Sequence, residues 1–270
     1  MPASEIHAEW AKKLAEKIVE SGEIPPNNID DDERLALAWA LKHTAIAAWS
    51  SAPNKVIVVA NALTALHTSA RPSDSTPQRI EIWAVVQWIQ GIAALTCGKL
   101  THAITHLAGA SEKFTELNQR ANAAHAEVPK IMAFSLLGDH PRAAESGLST
   151  KKVLIELGES HLAAKVSGNL GNLFCRCNRY TDALQQFDEA EALFNQVNDH
   201  DNAIACGTGR AEVYSSIGKF DLALNTFEDA IRRSTEQGLP LRHAVATEAV
   251  ALVHLARGQY SLALAGLEEA

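Results

Sequence analysis

Residues 164–203 read AKVSGNLGNLFCRCNRYTDALQQFDEAEALFNQVNDHDNA, and their spacing decides the fold. Leu170, Gly171 and Phe174 recur at helical spacing, Asn178-Arg179-Tyr180 makes a tight turn, and Ala183, Phe187 and Ala190 mark one face of a second helix. Forty residues on, the pattern returns as Ala211, Tyr214, Gly218, Phe220, Ala223, Phe227 and Ala230, and then as Ala251, Gly258, Tyr260, Ala263, Leu267 and Ala270. Upstream it holds at the turns Gly138-Asp139-His140 and Gly98-Lys99-Leu100, followed by Ala143, Gly147 and Thr150 and by Ala103, Leu107 and Ala110. A fixed period of this size marks a solenoid, whose units cannot bury their apolar faces alone.

Each unit reads as helix A, a turn, then helix B. Alanine where helix B leaves the turn lets two backbones approach, and the larger residue one turn later fills the groove beside it. Residues 78–270 hold five such units of about 40 residues, the last one truncated. Residues 1–77 read as a capping helix and a degenerate hairpin. Ile6, Trp10, Leu14 and Ile18 give the first helix its apolar stripe, and Pro25-Pro26 and Asn27-Asn28 break it from the next. Asp30-Asp31-Asp32-Glu33 starts a second helix, since acids favour the positive end of a helix dipole. That helix ends at Ser51-Ala52-Pro53, a third runs over 54–69, and 71–77 is a loop. The last unit stops at Ala270 without a polar cap, so the solenoid reads as cut off.

Composition narrows the function. The 270 residues are 47% apolar with 6% aromatics, which suits closely packed helices and suits sheet poorly. A formal charge of −8 lacks the positive field that phosphate binding needs, and Lys12-Lys13, Lys151-Lys152 and Arg232-Arg233 lie among acids, so nucleic acid and anionic membrane are excluded as partners. Val56 to Leu66, the richest apolar run, is broken by Asn61 and Thr64, and no cleavable signal opens the chain. Cys97, Cys175, Cys177 and Cys206 show no framework spacing, which reads as reduced thiols in a cytoplasm.

Leu170-Gly171, Phe174, Asn178, Tyr180, Ala183, Phe187 and Ala190 resemble the tetratricopeptide repeat signature in order and spacing, with Ser167 where that family has tryptophan. The likeness covers residues 78–270 and implies an all-α, right-handed superhelical solenoid of antiparallel helix pairs, with helices extended beyond the family's usual length. The run from Ala163 to Leu173, Pro129-Lys130 with Leu137-Gly138, and Gly238-Leu239-Pro240 resemble the repeat region of bacterial CHAT-domain proteins. There a caspase-like cysteine peptidase domain follows the repeats, and nothing here matches its His/Cys dyad. That resemblance implies a regulatory, partner-sensing arm rather than an enzyme. Asn169-Leu170-Gly171-Asn172 also resembles peptide-binding arrays such as kinesin light chains.

In such arrays helix A lines the inner wall. The residues of the best unit that would face a ligand are Lys165, Asn169, Asn172 and Arg176, three or four apart on one helix face. Two carboxamides at that spacing suit the backbone of an extended peptide, and the cations suit its acidic groups. Glu212 and Ser216 continue the face, and Met132 precedes it. Ala205 and Gly209 stand where a carboxylate clamp needs cations or asparagine, which disfavours a chaperone C-terminus. Towards the N-terminus the face turns apolar with Val85, Trp88, Ile92 and Leu95, a strip that the first helices are expected to cover.

Catalytic and metal-binding patterns are weak. His102 and His106 have chelating spacing, but Ala103 and Ile104 replace the glutamate of a zinc peptidase, and the pair reads as a solvated outer face. Cys175 and Cys177 point about 200° apart on a helix and cannot share a metal. No cofactor is implied. The expected partner is a protein or peptide in the inner groove, with a C-terminal peptidase domain as the resemblance adds.

Overall fold

The computed structural model describes residues 3–26, 28–69 and 76–269, with side chains from residue 7 to 268. The Ile6 side chain, Asn27, most of the 71–77 loop and Ala270 therefore lie outside the described residues. Among those described there is no strand. The helices are α1 (Ala3–Ser21), α2 (Asp31–Ala48), α3 (Pro53–Thr68), α4 (Pro77–Thr96), α5 (Leu100–Glu116), α6 (Arg120–Leu136), α7 (His140–Glu156), α8 (Ser160–Arg176), α9 (Tyr180–Gln196), α10 (His200–Ser216), α11 (Phe220–Glu236), α12 (Pro240–Ala256) and α13 (Tyr260–Glu269). The chain forms two compact units, Met1–Ala143 and Ala144–Ala270.

The repeat has a finer beat than the forty-residue one. Gly98, Asn118, Gly138, Gly158, Asn178, Asn198, Gly218, Gly238 and Gly258 stand twenty residues apart and all adopt φ between 57° and 77°. The residue after each donates its N–H to the carbonyl five positions back at 2.8–3.0 Å, as in Lys99 to Ala94 and Asp199 to Phe194. That is the Schellman closure, in which a left-handed residue ends the helix and satisfies its orphan carbonyls. Glycine and asparagine hold these places because other side chains are strained there. Helices α5 to α12 are accordingly all 17 residues long, about 25 Å each.

The small residues carry the packing. Ala103, Ala143, Ala183, Ala223 and Ala263 are all buried. In the second unit, the Phe187 ring of α9 lies between α8 and α10. A Cβ at Gly171 or at Gly209 would come within 2.7 Å of that ring, so both helices close on it only because those positions are glycine. Glu191 of α9 accepts from Arg210 of α10 at 2.9 Å and from Arg233 of α11 at 2.6 Å, while Arg242 of α12 forks onto Asp201 of α10. These ties fix neighbouring hairpins of that unit.

In the first unit α2 begins with a capping box, in which the Asp30 side chain accepts from the Glu33 backbone and Glu33 reaches back. Buried Arg34 donates to the Leu66 carbonyl at 3.1 Å and to Ser69 Oγ at 2.7 Å, closing the α2–α3 hairpin. Leu37 and Leu41 of α2, Val59 and Leu63 of α3, and Val85, Trp88, Ile92 and Leu95 of α4 share one core cluster. The apolar strip of α4 is thus covered by the preceding helices, as its sequence requires. No helix among the described residues is long and apolar enough to cross a membrane.

Candidate functional site

Along α8 the exposed residues are His161, Lys165, Asn169, Asn172 and Arg176, and Val166, Leu170, Leu173 and Phe174 are buried. The spacing explains the division: one face of the helix packs on α9, and the opposite one is left to solvent. Lys165, Asn169 and Asn172 line a cleft of about 290 Å³, with Gly168 between them. Phe187 and Phe194 of α9 form its floor, and Asn202, Ala205 and Cys206 of α10 form the far wall. Arg176 stands one turn beyond Asn172, outside the lining.

The polar groups differ in how far they are already used. The carboxamides of Asn169 and Asn172 and the Lys165 ammonium have no hydrogen-bond or ion-pair partner among the described residues. Asn202 is spoken for: its Nδ2 donates to Asp199 Oδ2 at 2.7 Å and its backbone N–H to Oδ1 at 3.1 Å. His161 Nε2 lies 2.8 Å from the same Oδ2. Burial works to raise the Asp199 carboxyl, but the Asn202 and His161 contacts outweigh it and hold the group below its ordinary pKa. The wall residue is therefore already engaged, whereas the rim carboxamides are available.

Glu212 and Ser216 lie further along α10, both exposed. Ser216 Oγ donates to the Glu212 carbonyl at 2.9 Å, so its hydroxyl already serves its own helix. Crowding by the surrounding protein raises the Glu212 carboxyl. Burial also raises the Cys175 thiol, and the Glu212 charge adds to it. The Cys206 thiol, in the cleft wall, is pushed up to about 12, by burial first and then by the Glu191 charge. A thiol so protonated is no nucleophile at neutral pH.

The spacing of α8 revealed its exposed face, but not the cleft's other walls. Phe194, Asn202 and Cys206 come from two further helices, and only the periodic match of Phe194 to Phe114 hinted at the first of them. His102 is exposed, in keeping with the solvated reading, whereas His106 is half-buried. They line a cleft of about 470 Å³ in the first unit with Asn61, Gln90 and Lys99, and His106 Nδ1 lies 2.7 Å from Gln87 Oε1. No group of three His, Cys, Asp or Glu side chains among the described residues is arranged to hold a metal, and the cysteines form no disulfide.

Residues 162–236, the segment that carries the cleft, match the family model of the tetratricopeptide repeat. No curated protein sequence matches the chain. Solved structures share the fold. The apo form of RapI aligns with a TM-score of 0.73 at 11% identity, over 97% of this chain and 75% of that one. A Rap protein complexed with competence and sporulation factor aligns with a TM-score of 0.61 at 11% identity, over 95% and 78%. BtubC from P. vanneervenii aligns with a TM-score of 0.59 at 15% identity, over 90% of each chain.

Proposed function

We propose that the chain is a binding scaffold that captures an extended polypeptide along the exposed face of α8 and α10. The observation that carries this reading is the pair of exposed carboxamides, Asn169 and Asn172, one turn apart on a cleft rim and unused among the described residues. Such a pair presents a donor and an acceptor each, the set an extended peptide backbone needs. Lys165 and Arg176 would meet acidic groups of the ligand at either end, and Glu212 and Ser216 would extend the contact. Affinity would come from many modest contacts with a few anchors. On the resemblance of the Ala163–Leu173 run to CHAT-domain proteins, the array serves as the regulatory arm of a caspase-like peptidase in a bacterial cytoplasm.

A second reading is a sensor array of a bacterial transcriptional or signalling regulator. The Rap protein aligned above was solved with competence and sporulation factor, which supports a ligand-sensing use of this fold. The two readings differ in what neighbours the repeats, a peptidase domain in one and a helix-turn-helix or nucleotide-binding domain in the other.

The test is capture of peptides from a displayed random library by the 270-residue chain. Replacing Asn169, Asn172 and Arg176 together with alanine is expected to abolish capture and leave the helical circular dichroism unchanged. Capture that survives the triple substitution removes the groove assignment.

A further inference from the structure

We infer that the cleft over Gly168 is a receptacle for one aromatic side chain of the captured segment, an inference that rests on the groove reading above. The first unit supplies the argument. Helices α4–α6 and α8–α10 run in one register, offset by eighty residues: α5 and α9 begin at Leu100 and Tyr180, α6 and α10 at Arg120 and His200. Phe114 corresponds to Phe194, Asn122 to Asn202, and Gly91 to Gly171. The close approaches correspond as well. A Cβ on Gly91 would meet Leu107 at 2.6 Å, and one on Gly171 would meet Phe187, the residue eighty positions on from Leu107, at 2.7 Å.

In that register Gly168 stands where the first unit has Trp88. The Trp88 indole is 3% exposed and sits edge-on to Phe114, with ring centroids 5.9 Å apart at 80°. The Lys42 ammonium of α2 lies 4.4 Å from the centre of its ring. The first unit therefore fills this place with its own indole and covers it with its own cation, the geometry expected of an aromatic pair with a cation–π contact.

The second unit has the surroundings without the ring. Phe194 is on the floor, Lys165 brings an ammonium to the rim, and Gly168 leaves the middle open. A Cβ there would meet only Cys206 Sγ, at 3.8 Å. Gly168 is thus unlike Gly171 and Gly209, which the Phe187 ring excludes from bearing a side chain. A helical glycine costs about 1 kcal/mol relative to alanine, and at residue 168 no internal contact offsets it. The opening of about 290 Å³ lies at the lower edge of the usual range of small-molecule pockets. One large planar side chain suits it, with Asn169 and Asn172 beside it to hold the backbone on which that side chain is carried.

The probes are N-acetyl-tryptophanamide and N-acetyl-alaninamide, followed by amide NMR shifts on the 270-residue chain. The aromatic amide alone is expected to shift Gly168, Asn169, Asn172, Asn202 and Cys206. In Gly168→Trp, with melting temperature at or above that of the parent, those shifts vanish and affinity for library-selected peptides falls at least about tenfold, the equivalent of 1.4 kcal/mol. Selected peptides are expected to share one aromatic position, and its replacement by alanine weakens them to the same extent. The inference is overturned if the aromatic amide shifts no cleft residue in the parent chain, a result independent of whether the variant folds. It is equally overturned if the shifts persist in folded Gly168→Trp. Capture that depends on Asn169 and Asn172 but selects no aromatic would remove the receptacle and leave the groove. Probe binding without peptide capture would do the reverse.

Discussion

Helices α4–α6 and α8–α10 have the same register and turns, and they end in opposite states. On α4 the inner-face positions are Val85, Trp88, Ile89 and Ile92, all buried beneath or beside α2 and α3. On α8 the same positions are Lys165, Gly168, Asn169 and Asn172, and they border an open cleft. A solenoid thus writes two instructions on one scaffold. Apolar side chains on the inner face recruit the chain's own helices, and polar or absent side chains keep that face free.

The largest effect expected from disturbing this contrast comes from Trp88→Ala. Emptying the first unit's version of the cleft should cost about 3–5 kcal/mol in urea unfolding, since a buried indole is lost and α2 keeps the cavity from collapsing. A cost within the range of surface substitutions would mean that Trp88 does not fill that place. Ala183→Leu sharpens the shared part of the frame. Ala183 is wholly buried where α9 leaves its turn, and overpacking there should cost about 1–3 kcal/mol. An unchanged melting temperature would contradict the close approach of α8 and α9.

The smallest effect concerns Lys42, 8% exposed and without a carboxylate partner among the described residues. Desolvation lowers its pKa from the ordinary 10.5. The unfolded chain then binds more protons than the folded one between the lowered value and 10.5, so stability rises with pH through that window. Below it the burden of the buried charge is fully present. Urea midpoints at alkaline pH should climb in the parent, and this climb should be missing from Lys42→Met, which keeps the volume and removes the charge. Equal slopes would place the titration elsewhere.

Much of the frame was legible in residue order because its causes are local. The alanine register foretold the buried seams, Asp30 to Glu33 foretold the start of α2, and Pro53 marks the first turn of α3. The twenty-residue beat was equally present in Asn118, Gly158, Asn198 and Gly238, but the wider forty-residue likeness masks it. The α8 face is a matter of spacing, so Lys165, Asn169, Asn172 and Arg176 could be named from it as exposed. The wall opposite was not legible. Asn202 is held by Asp199, the N-cap of its own helix, but His161 of α8 reaches that carboxylate and Cys206 is buried near Glu191 of α9, and these last two contacts join helices that sequence alone does not bring together.

By itself the sequence determined helices, their lengths and the small residues at their seams, because backbone conformation and side-chain periodicity act over a few neighbouring positions. Only the tertiary structure decided which side chains of α2 and α3 close over Trp88, and that the place of Gly168 stays open between Phe194, Asn202 and Cys206. Whether a face is covered depends on which distant segment has the apolar area and shape to lie on it, and that is a property of contacts, not of order along the chain.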